Sequence, residues 1–102
     1  MVNRRALIAL KADGDTWANY HSRKSNPDLS EADLSEADLS GLDLSGVNLF
    51  MANLAGADLS QSDLSGTNLQ GTNLSGANLS EANLSGAQMV DADLSDADLT
   101  RA

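Results

Sequence analysis

Leucine, or a residue standing in its place, recurs at every fifth position from Leu29 to Leu99. In an α-helix five residues advance about 500°, so side chains at this spacing would not share a face. In a flat strand side chains alternate between two faces, so an odd period would send successive leucines to opposite sides. The spacing therefore predicts a chain that turns a corner once in each block of five, with every Leu directed toward a common axis.

The other positions of each block suit turns and small spaces. Asp or Asn precedes the central residue in every block except at Gln88, and Ser and Gly are frequent after it; these residues tolerate turn conformations. Fixing five residues costs roughly 5 to 10 kcal/mol of backbone entropy, whereas burying one Leu returns about 1.5 to 3 kcal/mol. A single block cannot fold alone, so the pattern predicts a stacked array.

The blocks resemble the A(D/N)LXX repeat of the pentapeptide-repeat proteins, as in Ala32-Asp33-Leu34, Ala57-Asp58-Leu59, Ala77-Asn78-Leu79 and Ala97-Asp98-Leu99. This resemblance implies an all-β solenoid, a right-handed quadrilateral β-helix with four blocks per coil. Residues 27–102 would then form just under four coils. The central residue and the residue two before it would face inward.

Residues 1–26 lie outside the repeat and predict a short N-terminal α-helical cap, which divides the chain into a cap (1–26) and a β-helix (27–102). Asn3 is the predicted N-cap of a first helix that ends near Asp13 and Gly14, and Asp15 is the predicted N-cap of a second.

Trp17 and Tyr20 lie three residues apart and share a face of the second predicted helix, with His21 four residues from Trp17. Two interpretations stand: a platform on which a ligand stacks, or a hydrophobic lid on the first coil. We favour the lid, because the open first unit of a stacked array must be covered.

Composition narrows the function classes. The 102 residues contain no cysteine and carry a net charge of −9, divided into +3 over residues 1–24 and −12 over the remainder. The acidic repeat would repel phosphates, so we expect no nucleic-acid partner. No apolar run approaches the roughly 20 residues that span a bilayer, so we expect no membrane partner and a cytoplasmic location.

Candidate chemistry is sparse. His21 is the only histidine, and the many Ser and Asp residues of the repeat form no specific constellation of base and nucleophile. We therefore predict no catalytic residue, no metal site and no cofactor.

Departures from the repeat mark two candidate surfaces. At a spacing of 20 residues, outward side chains should stack into a candidate partner surface of Phe50, Met51, Gln70 and Val90. Acidic residues gather in the first and last coils and form a candidate acidic surface: Glu31, Asp33, Glu36, Asp38, Asp91, Asp93, Asp96 and Asp98.

Two functions from different classes follow. The first is a non-catalytic protein-interaction or scaffold module whose partner is unknown. The alternative, implied by the resemblance, is an acidic DNA-mimic inhibitor of a DNA-binding enzyme such as a type II topoisomerase. The rod of about 20 Å and its weakly charged middle count against mimicry. An open last coil with Met89, Leu94 and Leu99 also predicts a homodimer formed end to end, since unpaired strand edges invite pairing.

Overall fold

A computed structural model describes residues 4–12, 14–23 and 26–102. Two helices, α1 (Arg4–Ala12) and α2 (Gly14–Arg23), precede the repeat. In the repeat each block contributes a single bridge residue, and eleven parallel bridges join residues 20 positions apart, from Asp28 with Asn48 to Asn78 with Asp98. The chain is a right-handed quadrilateral β-helix, and the expected four blocks per coil are confirmed by this register.

Three main-chain hydrogen bonds per block join one coil to the next. The amide of Leu59 donates to the carbonyl of Asn78 (2.7 Å), and that of Gln61 to the carbonyl of Ser80 (2.9 Å). In the reverse direction the amide of Asp58 donates to the carbonyl of Ala37 (2.9 Å). The same three bonds recur along the array, so each coil pairs the backbone of the coil before it.

The central leucines form the core in four columns. All of those in the first eleven blocks are buried, with at most 3% of each residue exposed: Leu29, Leu34, Leu39, Leu44, Leu49, Leu54, Leu59, Leu64, Leu69, Leu74 and Leu79. Three polar residues at the second inward position, Ser62, Thr67 and Thr72, are buried as well. Their hydroxyl groups donate to main-chain carbonyls at 2.6 to 2.8 Å, which avoids the cost of burying an unpaired polar group.

Two features of each block make its corner. In fourteen of the fifteen blocks the residue after Leu donates its amide to the side-chain oxygen of the preceding Asp or Asn, as Ser75 does to Asn73 at 3.0 Å. The residue two after the central position then takes a left-handed conformation, with φ between 59° and 71° in every block. Gly occupies seven of these positions, because it enters that region without the steric cost that other residues meet.

The helices cover the first coil. Ala6, Ala9, Leu10 and Trp17 are buried in the same apolar cluster as the leucines, and Trp17 is only 1% exposed. The Trp17 ring lies 5.9 Å from that of Tyr20. Burial of Trp17 agrees with a lid and leaves no open stacking platform at this ring.

One helix boundary differs from the prediction. Helix α2 begins at Gly14, so Asp15 lies in its first turn and is not its N-cap. A carboxylate in the first turn still interacts favourably with the helix dipole, so Asp15 marks the start of the helix although it lies two positions beyond the N-cap. The proposed N-cap Asn3 and the predicted helix end at Asp13 lie outside the described residues.

The hydrogen bonds at the corners also lower the carboxyl pKa of six aspartates. In each case the hydroxyl of the Ser or Thr two residues later is the largest cause that lowers the carboxyl pKa below its ordinary 3.8, and the amide of that residue lowers it further: Asp28, Asp33, Asp38, Asp43, Asp93 and Asp98. Hydrogen bonds to a carboxylate favour its ionised form.

We expect the melting temperature to fall as the pH drops below 3.8, the ordinary value for Asp. A folded-state pKa below the unfolded one stabilises the fold above the unfolded value, and this contribution is lost as the pH falls through the folded value. Thermal melts followed by circular dichroism across this range measure the effect. The double variant Asp33→Asn and Asp93→Asn, which repeats Asn53 and Asn73 of the same column, should show a shallower acid loss; an unchanged slope would contradict the assignment.

Leu59→Asp should abolish the cooperative melt. Leu59 is 0% exposed, and an ionised carboxylate buried there costs several kcal/mol, comparable with the ~5 to 15 kcal/mol that stabilises a typical domain. Gln61→Glu is the matched control, since Glu81 occupies the same turn position one coil later. The control should melt like the parent chain, and a parent-like melt of Leu59→Asp would refute the stacked core.

Candidate functional site

Four blocks stack to form one side of the β-helix, which we call face one: 27–31, 47–51, 67–71 and 87–91. The 20-residue register places the residues after each central position, Ser30, Phe50, Gln70 and Val90, in one outward column. Ser or Thr fills the equivalent position in eleven of the fifteen blocks, and Ala55 in one more. The three large exceptions, Phe50, Gln70 and Val90, therefore all lie on face one.

The structure brings the four predicted partner-surface residues together. Phe50 is 42% exposed, Met51 55% and Val90 66%, while Gln70 is partly buried. The amide of Met51 donates to the carbonyl of Gln70 (2.9 Å), and the amide of Gly71 donates to the carbonyl of Val90 (2.9 Å). Successive coils therefore hold these side chains at the strand spacing of about 4.8 Å, which fixes the spacing of the surface.

Met51 occupies a strained corner. Its φ is 60°, a conformation that costs a residue with a Cβ roughly 1 kcal/mol. A Cβ placed on Gly71, directly beneath it in the next coil, would lie 2.5 Å from the Met51 sulfur. The Met51 side chain thus lies across Gly71, and a larger residue at position 71 would require this side chain to move.

Sequence reasoning missed one contact on this face. Gln88 is the only residue in its column position that is neither Asp nor Asn, and its side-chain oxygen accepts a hydrogen bond from Gln70 Nε2 (2.9 Å). This hydrogen bond between Gln70 and Gln88 thus links two neighbouring coils beside Val90. The signal was visible as the single break in the Asp/Asn pattern, but the partner could not be read from spacing alone.

Charge leaves the middle of face one neutral. Asp28 and Glu31 lie in its first coil and Asp91 in its last, and the two coils between them carry only uncharged residues on this side. Phe50 and Met51 form an exposed apolar pair beside the side-chain amide of Gln70. Such a surface is typical of the core of a protein interface, where charged residues are depleted and Phe and Met are enriched.

The eight residues of the candidate acidic surface are all exposed, in two groups: Glu31, Asp33, Glu36 and Asp38 in the first coil, and Asp91, Asp93, Asp96 and Asp98 three coils away. The register therefore separates them by about 14 Å. Glu36 Oε1 would lie 3.1 Å from a Cβ on Gly56, so this carboxylate leans over the second coil. The two groups do not merge into one continuous stripe.

The last coil is less covered than the others. Leu84, Met89 and Leu94 are partly buried and Leu99 is 41% exposed. The homodimer predicted through this coil stays a prediction.

His21 contacts the first coil through both ring nitrogens. Nε2 is 2.7 Å from the carbonyl oxygen of Ser45, and Nδ1 is 3.8 Å from Asp43 Oδ2. Within the described ranges, no group of three or more His, Asp and Glu side chains could hold a metal ion. Neither described helix is long and apolar enough to cross a membrane.

Comparison with known proteins gives the fold a family. The model of the pentapeptide repeats matches residues 28–66 and 62–101, in 8 copies. Among solved structures, the pentapeptide repeat protein Rfr23 of the cyanobacterium Cyanothece 51142 is 34% identical, with a TM-score of 0.51; the match covers 67% of this chain and 56% of Rfr23.

A pentapeptide repeat protein from the Arabidopsis thaliana thylakoid lumen is 31% identical over 72% of this chain and 61% of its own, with a TM-score of 0.45. One from Nostoc Pcc 7120 is 36% identical over 71% of this chain and 70% of its own, with a TM-score of 0.43. This chain thus spans less than two thirds of the length of the first two. No curated protein matches it significantly.

Pentapeptide repeat proteins are generally non-catalytic. Three observations indicate the same repeat fold: the register of 20 residues, the four leucine columns and the match of the repeats to the family model. The chain belongs to the pentapeptide repeat family.

Proposed function

We propose that this protein is a non-catalytic protein-interaction module that binds a partner protein through face one. The observation that carries the proposal is the position of the departures from the repeat. Phe50, Met51, Gln70 and Val90 all lie on one side, over three successive coils. The corner at Phe50 does not depend on the side chain of that residue, because the bond from its amide to Asn48 Oδ1 forms without a hydroxyl (3.0 Å).

The energetic cost of the face supports a role beyond folding. Met51 holds a left-handed corner that Gly would occupy more cheaply. Phe50 and Val90 expose apolar surface where Ser is the usual residue, and Phe50 forgoes the hydroxyl bond that Ser75 makes to Asn73 (2.7 Å). Strained residues and exposed apolar side chains that recur together favour a binding surface.

The alternative, a DNA-mimic inhibitor, finds weaker support. A mimic of duplex DNA needs a continuous run of negative charge, because one charge falls at about every 1.7 Å of a DNA axis. Here Asn53 and Asn73 separate Asp33 from Asp93 in one column, and Asn78 separates Asp58 from Asp98 in the next. The interaction module therefore remains the preferred function.

Replacing Phe50 and Met51 should remove the partner without loss of stability. Phe50→Ser restores the residue usual at its position, and Met51→Gly relieves the left-handed corner. We expect recovery of the partner from cell extract on the immobilised protein to fall at least about tenfold for the double variant, since buried aromatic anchors dominate interface energies. The melting temperature should stay equal or rise.

Gln61→Gly is the matched control for the glycine substitution. Gln61 has the same φ of 60° as Met51 but lies on the opposite side of the β-helix. This control should recover the partner as well as the parent chain does. Equal recovery by the Phe50→Ser, Met51→Gly variant would contradict face one as the binding surface.

A gyrase supercoiling assay tests the alternative directly. We expect the purified protein not to inhibit supercoiling even at high concentration, because its two acidic groups are separated by middle coils that carry only three acidic residues, Asp58, Asp63 and Glu81. Inhibition that weakens in the variant Asp93→Asn and Asp98→Asn would instead support mimicry through the acidic surface.

A further inference from the structure

The first coil has an edge that no earlier coil pairs. In the rest of the β-helix two carbonyls of each block, those of the Asp or Asn and of the residue after Leu, accept amides from the preceding coil. One amide per block, that of the Asp or Asn, donates back to it. In the first coil these groups must find other partners, because buried main-chain polar groups are costly when unpaired.

Helix α2 supplies those partners on block 42–46. Trp17 Nε1 donates to the carbonyl of Asp43 at 2.7 Å, and His21 Nε2 lies 2.7 Å from the carbonyl of Ser45. A carbonyl can only accept, so His21 Nε2 carries the proton in this contact. The two side chains thus donate to the two carbonyls of block 42–46 that would otherwise accept amides from a preceding coil.

The neighbouring blocks 32–36 and 37–41 receive no such help. Within the described ranges, no hydrogen bond reaches the carbonyls of Asp33, Ser35, Asp38 and Ser40, and none leaves the amides of Asp33 and Asp38. Each of these two blocks presents two acceptors and one donor, the groups to which a short segment of β-strand pairs, and the corner at Glu36 separates the two sets.

A cavity of about 400 Å³ opens at the same stretch. Helix α1 lines one side with Leu10 and Lys11, and the blocks 32–36 and 37–41 line the other with Leu34, Ala37 and Leu39 among them. The volume falls within the range of known ligand pockets. We call this cavity and the open main chain beside it the first-coil slot.

The chemistry of the slot selects its occupant. An α-helix is about 10 to 12 Å across with its side chains and makes all its backbone bonds internally, so it would leave the open carbonyls unpaired. Anions are disfavoured because the open main chain offers mainly carbonyl oxygens, and because the carboxylates of Asp33 and Asp38 outnumber Lys11, the one cationic side chain that lines the cavity among the described residues. Extended polypeptide, by contrast, supplies amides at the spacing of the open acceptors.

We propose that the first-coil slot binds an extended, basic segment of a partner protein, which adds to the β-helix as a strand. Two of its amides, two residues apart, donate to the carbonyls of Asp33 and Ser35, as the amides of Leu49 and Met51 donate to the next coil. The residue between them in the strand faces outward, where Lys or Arg meets the carboxylates of Asp33 and Asp38. An apolar side chain of the segment faces inward and contacts Ala37, the partly exposed apolar residue of the cavity.

This site is separate from face one and does not depend on the function proposed for it. Face one offers exposed apolar side chains, whereas the slot offers main-chain hydrogen bonds and negative charge. A single partner could use either surface alone.

The test uses the full chain and a short peptide of alternating lysine and valine as the probe. Titration followed by amide NMR should shift the signal of Asp33, because its amide gains an acceptor from the bound strand. The same peptide N-methylated at alternate backbone nitrogens lacks the donors and should lose detectable binding. Equal binding of the N-methylated peptide would overturn strand addition.

Charge variants localise the site. Asp33→Asn with Asp38→Asn keeps the corner bonds, since Asn serves in the same columns at Asn53 and Asn78, and should weaken peptide affinity about threefold to tenfold at low salt. The matched variant Asp93→Asn with Asp98→Asn removes two charges from the same columns at the other end and should leave affinity unchanged. Equal weakening by both variants would show non-specific attraction to acidic protein and overturn the proposal.

A steric variant gives an independent check. Ala37 lines the cavity and is partly exposed, so Ala37→Met should fill the slot and prevent peptide binding while the melting temperature stays close to that of the parent. Undiminished binding by a folded Ala37→Met variant would also overturn the proposal.

Discussion

The fold depends on main-chain hydrogen bonding between coils at a register of 20 residues. Each pair of blocks that are 20 residues apart shares three main-chain hydrogen bonds. The same register brings every central residue over the one 20 positions earlier. A block gains too little from one buried Leu to fix five residues by itself. Cooperation between coils is therefore what makes both the leucine columns and the corners stable.

This constraint divides the positions of a block by what they must do. The central residue and the one two before it fill the axis, Asp or Asn closes the corner, and the residue two after the central position must accept a positive φ. The residue after Leu closes the corner with its amide whatever its side chain, and a Ser or Thr there adds a hydroxyl bond to the Asp or Asn. Departures at that position, as at Phe50 and Val90, are therefore more informative about binding than the regular features of the core.

Much of this arrangement could be predicted from the sequence because a strict period carries its own geometry. The period of five excluded helix and flat strand, and the family resemblance supplied the four blocks per coil that spacing could not. The column of Phe50, Gln70 and Val90 followed from the register. Its details did not: the pairing of Gln70 with Gln88 depends on the length of two flexible side chains across two coils, and no pattern in the chain specifies that reach.

Prediction was weakest where the periodic part meets the non-periodic part. Trp17 and His21 could be placed on one helix face, but not opposite the carbonyls of Asp43 and Ser45, because the docking of α2 depends on long-range packing. The first-coil slot was missed for the same reason.

The ends of a β-helix are chemically unlike, and this polarity bears on how the protein can associate. The first-coil edge carries two carbonyls and one amide per block that point away from the array, whereas the equivalent edge of the last coil carries two amides and one carbonyl. Amides of Leu84, Leu94 and Leu99 have no main-chain acceptor among the described residues. Two such last-coil edges would oppose donors to donors at most positions, so a homodimer formed there must be held chiefly by side chains such as Leu94 and Leu99. The acceptor-rich first-coil edge, by contrast, suits the amides of an incoming strand, because it carries two carbonyls for every amide.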